Sequence, residues 1–361
     1  MQYIIGVFIS FFLSIILFTK KGRNQADVIL AIWIFCIGIH LLSYYSFISG
    51  LINVYPSIVW VNFSLPFLHG PLLFLYATSL SYNRKLNLSI SALHFFLPLL
   101  VLFLFSPFLF KTYTEKLDII KNNGADYKLL IFTTSIMLNV SGLIYIFITN
   151  RVLQRHKKRI LDEFSYQEKI NLNWLRFLFY GTALLWFIII INGSDELIFS
   201  VTALFIIFIG YFGIKQVGIF TNKQGLDADL ESKILFDSLL GETVIEKQKY
   251  AKSGLRKEAE NELHKKLTSL MKSDRLFTNP ELNLSELATR LNVHPNYLSQ
   301  TINEREGVNF YDYVNNLRIE EFKRLISIPE NQKYTFLALA FDCGFNSKTA
   351  FNRFFKKSTG L

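Results

Sequence analysis

Seven stretches of this chain are too apolar to fold in water, and they fix its solvent before anything else is read. They run at roughly 3–19, 27–50, 57–82, 88–110, 129–149, 174–191 and 197–220. A helix needs about 20 apolar residues to cross about 30 Å of hydrocarbon, and most of these stretches reach that length. The sixth is short and carries Trp174 and Trp186. Pro66, Pro71 and Pro98 lie inside spans, where neighbouring helices can satisfy the carbonyls that proline leaves without a donor. The expected fold is all-α, a seven-helix transmembrane bundle over residues 1–220 followed by a polar remainder.

The charges orient that bundle. Residues 1–220 hold 17 Lys and Arg against 9 Asp and Glu, whereas 221–361 hold 21 against 19. Most of the net charge of +10 therefore sits on the apolar part, where it reports topology rather than nucleic-acid binding. The first connection carries Lys20, Lys21 and Arg23, the third Arg84 and Lys85, and the fifth Arg151, Arg155, Lys157, Lys158, Arg159 and Lys169. The second and last connections carry no Lys or Arg. The fourth, near 111–128, holds four Lys against three acids. Basic loops stay on the cytoplasmic side, so the N-terminus is expected outside and the C-terminus in the cytoplasm. The first span lacks a basic n-region and a small-residue cleavage site, so it is read as a retained span.

Little in the spans suggests chemistry. No Asp or Glu lies deep in one, and no HExxH is present. The two cysteines, Cys36 and Cys343, form neither a disulfide framework nor a metal-ligand pattern. No catalytic constellation, metal site or cofactor is expected. His40, His69 and Asn139 each fall about halfway along a span, at similar depth. Polar groups at that depth usually face the bundle interior, so the three are candidates for a ligand-sensing site. The plainer alternative is hydrogen bonding that only ties helices together. His94, near the inner end of its span, reads as interfacial.

Residues 221–278 turn polar and read as a cytoplasmic helical linker. Leu226, Leu230, Ile234, Leu235 and Leu239 repeat at helical spacing. A second helical stretch, about Leu255 to Met271, puts Leu263, Leu267 and Leu270 on one side. Such faces serve either to pair two protomers or to pack on the following domain.

Residues 279–361 contain an internal repeat. Asn283 and Glu286 have capping-box spacing, Leu287, Leu291 and Val293 are core candidates, and Ala288 is small where a second helix approaches. Asn292 sits at a turn expected to need positive φ, and Pro295 suits the first position of the next helix. Leu339-Ala340 repeats Leu287-Ala288 at an offset of 52 residues, and Gly344 repeats Asn292. After a turn one residue longer, Phe351 and Phe355 match Leu298 and Ile302, and Gly360 matches Gly307. Between the copies, Phe310, Tyr313, Val314, Leu317, Ile319, Phe322, Leu325 and Ile326 describe one long buried helix. Two helix-turn-helix units at a fixed spacing suit successive major grooves, about 34 Å apart.

These residues resemble the DNA-binding domain of the AraC family of bacterial regulators. The likeness lies in LSELA at 284–288, PNYLSQ at 295–300, Arg318-Ile319, and GFNSKTAFNRFFKKSTG at 344–360. HGPLLFLY at 69–76, HFFLPLL at 94–100 and KYAKSGL at 249–255 extend it to the membrane-bound AraC-type regulators common in Bacteroidetes. The resemblance implies a tandem helix-turn-helix domain that binds double-stranded promoter DNA, usually activates transcription and contacts RNA polymerase. It also implies a Pro-containing segment and a short helix after Gly360-Leu361, where this sequence stops; either the domain is truncated or its closing helix is absent.

Carried over position by position, the resemblance makes Asn296, Ser299 and Gln300 base-edge candidates in the first unit, and Lys348, Thr349, Asn352 and Arg353 in the second. Asn and Gln can pair with adenine and Arg with guanine, while Lys356 and Lys357 suit phosphate. Residues 279–307 carry two basic and four acidic side chains, and 331–361 five basic and one acidic. The second unit is therefore expected to supply most of the phosphate attraction. The resulting expectation is a membrane-embedded one-component transcriptional regulator, not an enzyme, working as a homodimer in the lipid bilayer of the bacterial cytoplasmic (inner) membrane. The rivals are a transporter or receptor with an accessory DNA-binding tail, and a dormant factor released by proteolysis.

Overall fold

The structure, a computed structural model, describes residues 1–82, 86–166, 172–191, 193–215 and 253–360. The described residues are helical, with no strand among them beyond one isolated antiparallel bridge between Phe164 and Asn283. The chain divides into two compact units, Met1–His156 with Leu172–Leu226, and Lys157–Asn171 with Asp227–Leu361. The expected helix over Leu226–Leu239, and the basic residues Arg84, Lys85 and Lys169, lie outside the described residues.

The first unit contains α1 (Gln2–Thr19), α2 (Gln25–Ile48), α3 (Ile58–Asn62), α4 (Pro66–Tyr82), α5 (Leu88–Leu93), α6 (Phe96–Leu104), α7 (Tyr113–Lys121), most of α8 (Lys128–Glu163), α9 (Leu172–Ile190) and α10 (Asp195–Lys215). α1 and α2 are joined by a turn that ends in a capping box of Asn24 and Asp27. Asp27 also accepts from Lys20 at 2.9 Å. α2 is the central helix: Leu30, Trp33, Ile34 and Leu41 are each at most 1% exposed. α10 packs on α1, α4 on α2, and α9 on α10. α8 comes close to α9 because Gly142 has no Cβ; one there would sit 2.2 Å from the Trp186 ring.

Six helical stretches are long and apolar enough to cross a membrane among the described residues: Gln2–Thr19, Gln25–Ile48, Ser89–Phe110, Ala125–Glu163, Asn173–Ile190 and Asp195–Gly213. The third expected span, 57–82, is not one helix. It breaks between α3 and α4, because proline disfavours a helical conformation in the residue before it, and Pro66 opens the 17-residue α4. The fourth span also breaks, into α5, α6 and a 3-10 turn at Ser106–Phe110 that contains Pro107. Side chains also reach carbonyls of α6: Ser64 Oγ donates to Pro98 O at 2.8 Å and Trp60 Nε1 to Leu102 O at 3.0 Å. α8 has 36 residues and continues through the basic segment 151–159, which is therefore helix rather than loop.

The outward faces of the two units differ in kind. Exposed large apolar side chains crowd the first unit, Phe8, Phe12, Phe35, Phe103, Phe132, Phe147 and Phe187 among them. The second unit shows only Tyr334, Phe336 and Phe341 of this class among the described residues. Exposed apolar side chains in such number mark a surface that meets a membrane or a partner.

The second unit comprises α11 (Ser253–Ser273), α12 (Leu284–Arg290), α13 (Pro295–Glu306), α14 (Phe310–Ile326), α15 (Phe336–Asp342) and α16 (Lys348–Thr359), together with residues 157–166. α14 is the wall that both halves share. Phe310, Tyr313 and Val314 join a core with α12 and α13, and Tyr311, Ile319 and Phe322 join a second core with α15 and α16. Residues three and four apart share a helix face, so the two sets point in different directions. α11 answers the question left open by its sequence: Leu263, Leu267 and Met271 are buried in the first of these cores.

Candidate functional site

The repeat read from the sequence is reproduced element by element. α12 and α15 each have seven residues and start 52 residues apart. α13 and α16 each have twelve and start 53 apart. Asn283 caps α12 by accepting from Glu286 N, and Thr335 caps α15 by accepting from Ala338 N. His294 and Ser347 cap α13 and α16 through Asn296 N and Ala350 N. These side chains take up backbone N–H groups that a helix start leaves without partners.

The turns match as well. Asn292 has φ +53° and Gly344 φ +95°; Gly307 and Gly360 close α13 and α16 at φ +68° and +78°. Gly344 is needed for space too. A Cβ there would lie 2.5 Å from Phe277 O and 2.7 Å from Thr278 O. Leu287, Ala288, Leu298 and Ile302, and their counterparts Leu339, Ala340 and Phe351, are buried, while Phe355 is half-buried. Cys343 sits in the second core, and burial pushes its thiol up to about 12.

Opposite those buried faces, each second helix presents a polar stripe at helical spacing. On α13 it contains Asn296, Ser299, Gln300 and Asn303, and on α16 Thr349, Asn352, Arg353 and Lys356. Asn296, Lys348, Thr349, Asn352, Arg353, Lys356 and Lys357 are exposed; Ser299 and Gln300 are half-buried. Gln300 Nε2 donates to Glu304 Oε1 at 2.6 Å, and Asn303 Nδ2 donates to Ser299 O at 2.9 Å. The Arg353 guanidinium lies over the Tyr311 ring, 4.9 Å from its centroid, and is equally close to Phe354. A stacked guanidinium keeps its in-plane donors available for an acceptor.

Asn303 was not singled out by sequence reasoning. The 53-residue offset makes it the counterpart of Lys356, and Glu304 the counterpart of Lys357, so applying the offset to every polar position would have found it.

Arg318, noticed in sequence only as a point of resemblance, is a buried hub. It is 1% exposed. Nε donates to Phe277 O at 2.7 Å. Nη1 donates to Ser165 O at 3.2 Å and Asn315 Oδ1 at 3.1 Å. Nη2 donates to Ser165 Oγ at 3.2 Å and Asn279 O at 2.7 Å. A guanidinium has five N–H donors, and these are five acceptors. Ser165 Oγ in turn donates to Leu282 O at 2.6 Å, and Asn315 Nδ2 to Ser165 O at 3.1 Å. Residues 157–166 are thus built into this unit, with Leu161 packed against its second core.

In the first unit, His40 and His69 come together, Nδ1 to Nε2 at 3.1 Å. Asn139, on α8, does not line the cavity beside them, although its Oδ1 is buried without a partner. His94 instead bonds the Tyr145 hydroxyl at 2.9 Å.

A tandem helix-turn-helix unit with two exposed polar stripes belongs to the class of DNA-binding domains. Residues 287–361 match the family model described as a helix-turn-helix domain. The C-terminal domain is of the AraC type. A Bacillus subtilis (strain 168) protein named "Uncharacterized HTH-type transcriptional regulator YobQ" is 34% identical over 80 residues, which make up 22% of this chain and 32% of that protein. The match thus spans about a third of the relative's length. No solved structure matches the chain. Together these likenesses indicate DNA-binding regulation.

Proposed function

We propose that this protein is a one-component transcriptional regulator held in the bacterial cytoplasmic membrane, with its tandem helix-turn-helix unit in the cytoplasm. The observation that carries the reading is the duplicated helix-turn-helix with matched caps, turns and lengths, each copy displaying a polar stripe. α13 and α16 read promoter DNA, as a homodimer, and the bound protein meets RNA polymerase. Asn296, Ser299, Gln300, Lys348, Thr349, Asn352 and Arg353 face base edges, and Lys356 and Lys357 hold phosphate. The apolar exterior of the helical unit and the alternation of basic connections support the membrane placement. A signal received in that unit changes promoter occupancy.

Genome-wide mapping of sites bound by the intact protein, followed by binding to one such site across salt concentrations, tests the reading. Arg353→Ala and Gln300→Ala relax base preference. Lys356→Ala with Lys357→Ala weakens all sequences and lowers the salt slope by about 0.9 per lost phosphate contact. Absence of any enriched site overturns the regulator, and an unchanged slope overturns the lysine assignment. Recovery of the chain in the soluble fraction overturns the membrane placement.

A further inference from the structure

Helices α2, α4, α9 and α10 line a partly open cavity of about 60 Å³ whose wall is almost wholly apolar. Trp33, His40, His69, Trp186, Phe199 and Phe205 contribute to that wall. Two residues of that wall each carry a polar atom that is buried with no hydrogen-bond partner, Trp33 Nε1 and His69 Nδ1. Trp33 is 1% exposed. Buried polar groups in proteins are nearly always paired, and an indole N–H can only donate, so Trp33 calls for an acceptor.

The histidine pair adds a second, adaptable position. His40 Nδ1 and His69 Nε2 share one hydrogen bond, so one ring donates and the other accepts. If His69 donates there, its Nδ1 is an acceptor; if His40 donates, His69 Nδ1 carries a proton. The hydroxyls of Thr182 and Thr202 are already donating to Leu178 O and Ile198 O, each at 2.8 Å. Among the described residues no Asp, Glu, Lys or Arg lines the cavity, so nothing described there matches a charged ligand.

We propose that this cavity binds the oxygen-bearing end of a small uncharged lipophilic molecule, an aliphatic alcohol or ketone. Its oxygen accepts from Trp33 Nε1. An alcohol also donates its hydroxyl proton to His69 Nδ1, whereas a ketone oxygen accepts a second bond from His69 Nδ1–H. One water takes about 30 Å³ of liquid, so the cavity holds about two water-sized units. That is room for the oxygen and its nearest carbons, and a longer body lies beyond the cavity. The proposal rests on the membrane placement above, since such molecules concentrate in lipid, and it makes the cavity the place where that regulator receives its signal.

Photolabelling of the full chain in lipid nanodiscs tests it, with a diazirine-bearing octanol as the probe and mass spectrometry to map the labelled peptides. Label falls on α2, α4, α9 and α10. 1-Octanol and 2-octanone compete at least tenfold better than n-octane. Trp33→Phe keeps the ring but removes the donor, so labelling drops at least tenfold. Its melting temperature without probe falls only as far as the smaller ring's void requires, because no hydrogen bond is lost. His69→Phe, which also removes the bond to His40, is the second variant, read by its labelling, should Trp33→Phe fail to yield a folded protein. Label elsewhere, equal competition by octane, or undiminished labelling of both variants overturns the proposal and leaves the cavity to water. A chain that does not enter nanodiscs instead overturns the membrane reading, which separates the two failures.

Discussion

Replacing Arg318 by Met asks how much of the DNA-binding unit's stability hangs on one buried guanidinium. Methionine fills a similar volume without donors, so packing is largely kept and the polar network is lost. Ser165 O retains Asn315 Nδ2 at 3.1 Å, and Asn279 is exposed enough for water to reach it. Phe277 O, in a residue only 8% exposed, loses its donor from Arg318. A buried acceptor left without a partner costs about 1–3 kcal/mol, and a hydrogen bond to a charged group is worth about 1.5–3 kcal/mol. Relief from burying the guanidinium offsets part of the loss. The net expectation is about 3 kcal/mol. A single melting curve would blend the two units, so the measurement is amide hydrogen exchange on the intact protein in nanodiscs. At about 1.4 kcal/mol per tenfold change, α12, α13 and α14 lose protection about a hundredfold, while α1 and α2 serve as internal references and do not change. Arg318→Lys, with three donors and no planar fork, loses less. A change below threefold in α12–α14 for Arg318→Met refutes the claim that the network carries this stability.

Two further outcomes follow from the same unit. Gly344→Ala combines φ +95° with a Cβ placed 2.5 Å from a backbone carbonyl, whereas Gly307 has φ +68° and nothing within 4 Å. Gly307→Ala is expected to cost about 1–2 kcal/mol from backbone conformation alone, and Gly344→Ala well beyond that, checked by the same exchange measurement. Glu321 is held below the ordinary carboxylate range, first by its hydrogen bonds from Arg324, at 2.8 and 2.9 Å, and also by the charges of Arg275 and Arg324. Its folded-state pKa is depressed, so its stabilisation is complete above the unfolded carboxylate pKa of about 4.3 and is lost as pH falls through the lower folded value. Glu321→Gln should flatten that acid limb in a pH series of exchange protection; an unchanged limb would count against the pairing.

The helix-turn-helix repeat was legible because its determinants are local. A cap, a turn residue with positive φ, a small residue at the helix crossing and a closing glycine each act over a few neighbours, and all were readable at Asn283, Asn292, Ala288 and Gly307. The spans were legible as apolar runs, but two of them are not single helices. Hydropathy over 57–82 and 88–110 does not register that Pro66 and Pro107 interrupt the helix. The partners of Arg318 were beyond reach for a different reason. Ser165 lies 153 residues away, in a segment that reads as a basic loop, and no periodicity links the two. Of the three mid-span polar residues, depth alone grouped them; the rotation of each helix about its axis decides which meet, and it joins His40 to His69 and leaves Asn139 apart.

The two readers agree in backbone and disagree in charge. At the 53-residue offset Asn303 and Glu304 stand where α16 has Lys356 and Lys357, and Gln300 stands where it has Arg353. Gln300 is held by Glu304 at 2.6 Å, so turning it toward a base first requires breaking that bond, and Glu304 would repel a nearby phosphate. Arg353 is braced instead by aromatic rings that do not compete for its donors. Docking should therefore begin through α16, where attraction to the backbone needs no rearrangement, with α13 adding discrimination once it is brought to the groove. If that order holds, Glu304→Gln raises affinity for all sequences, because it removes a charge that opposes phosphate. It also eases the turn of Gln300 toward a base at the α13 half-site, because an amide oxygen holds Gln300 less firmly than the carboxylate does.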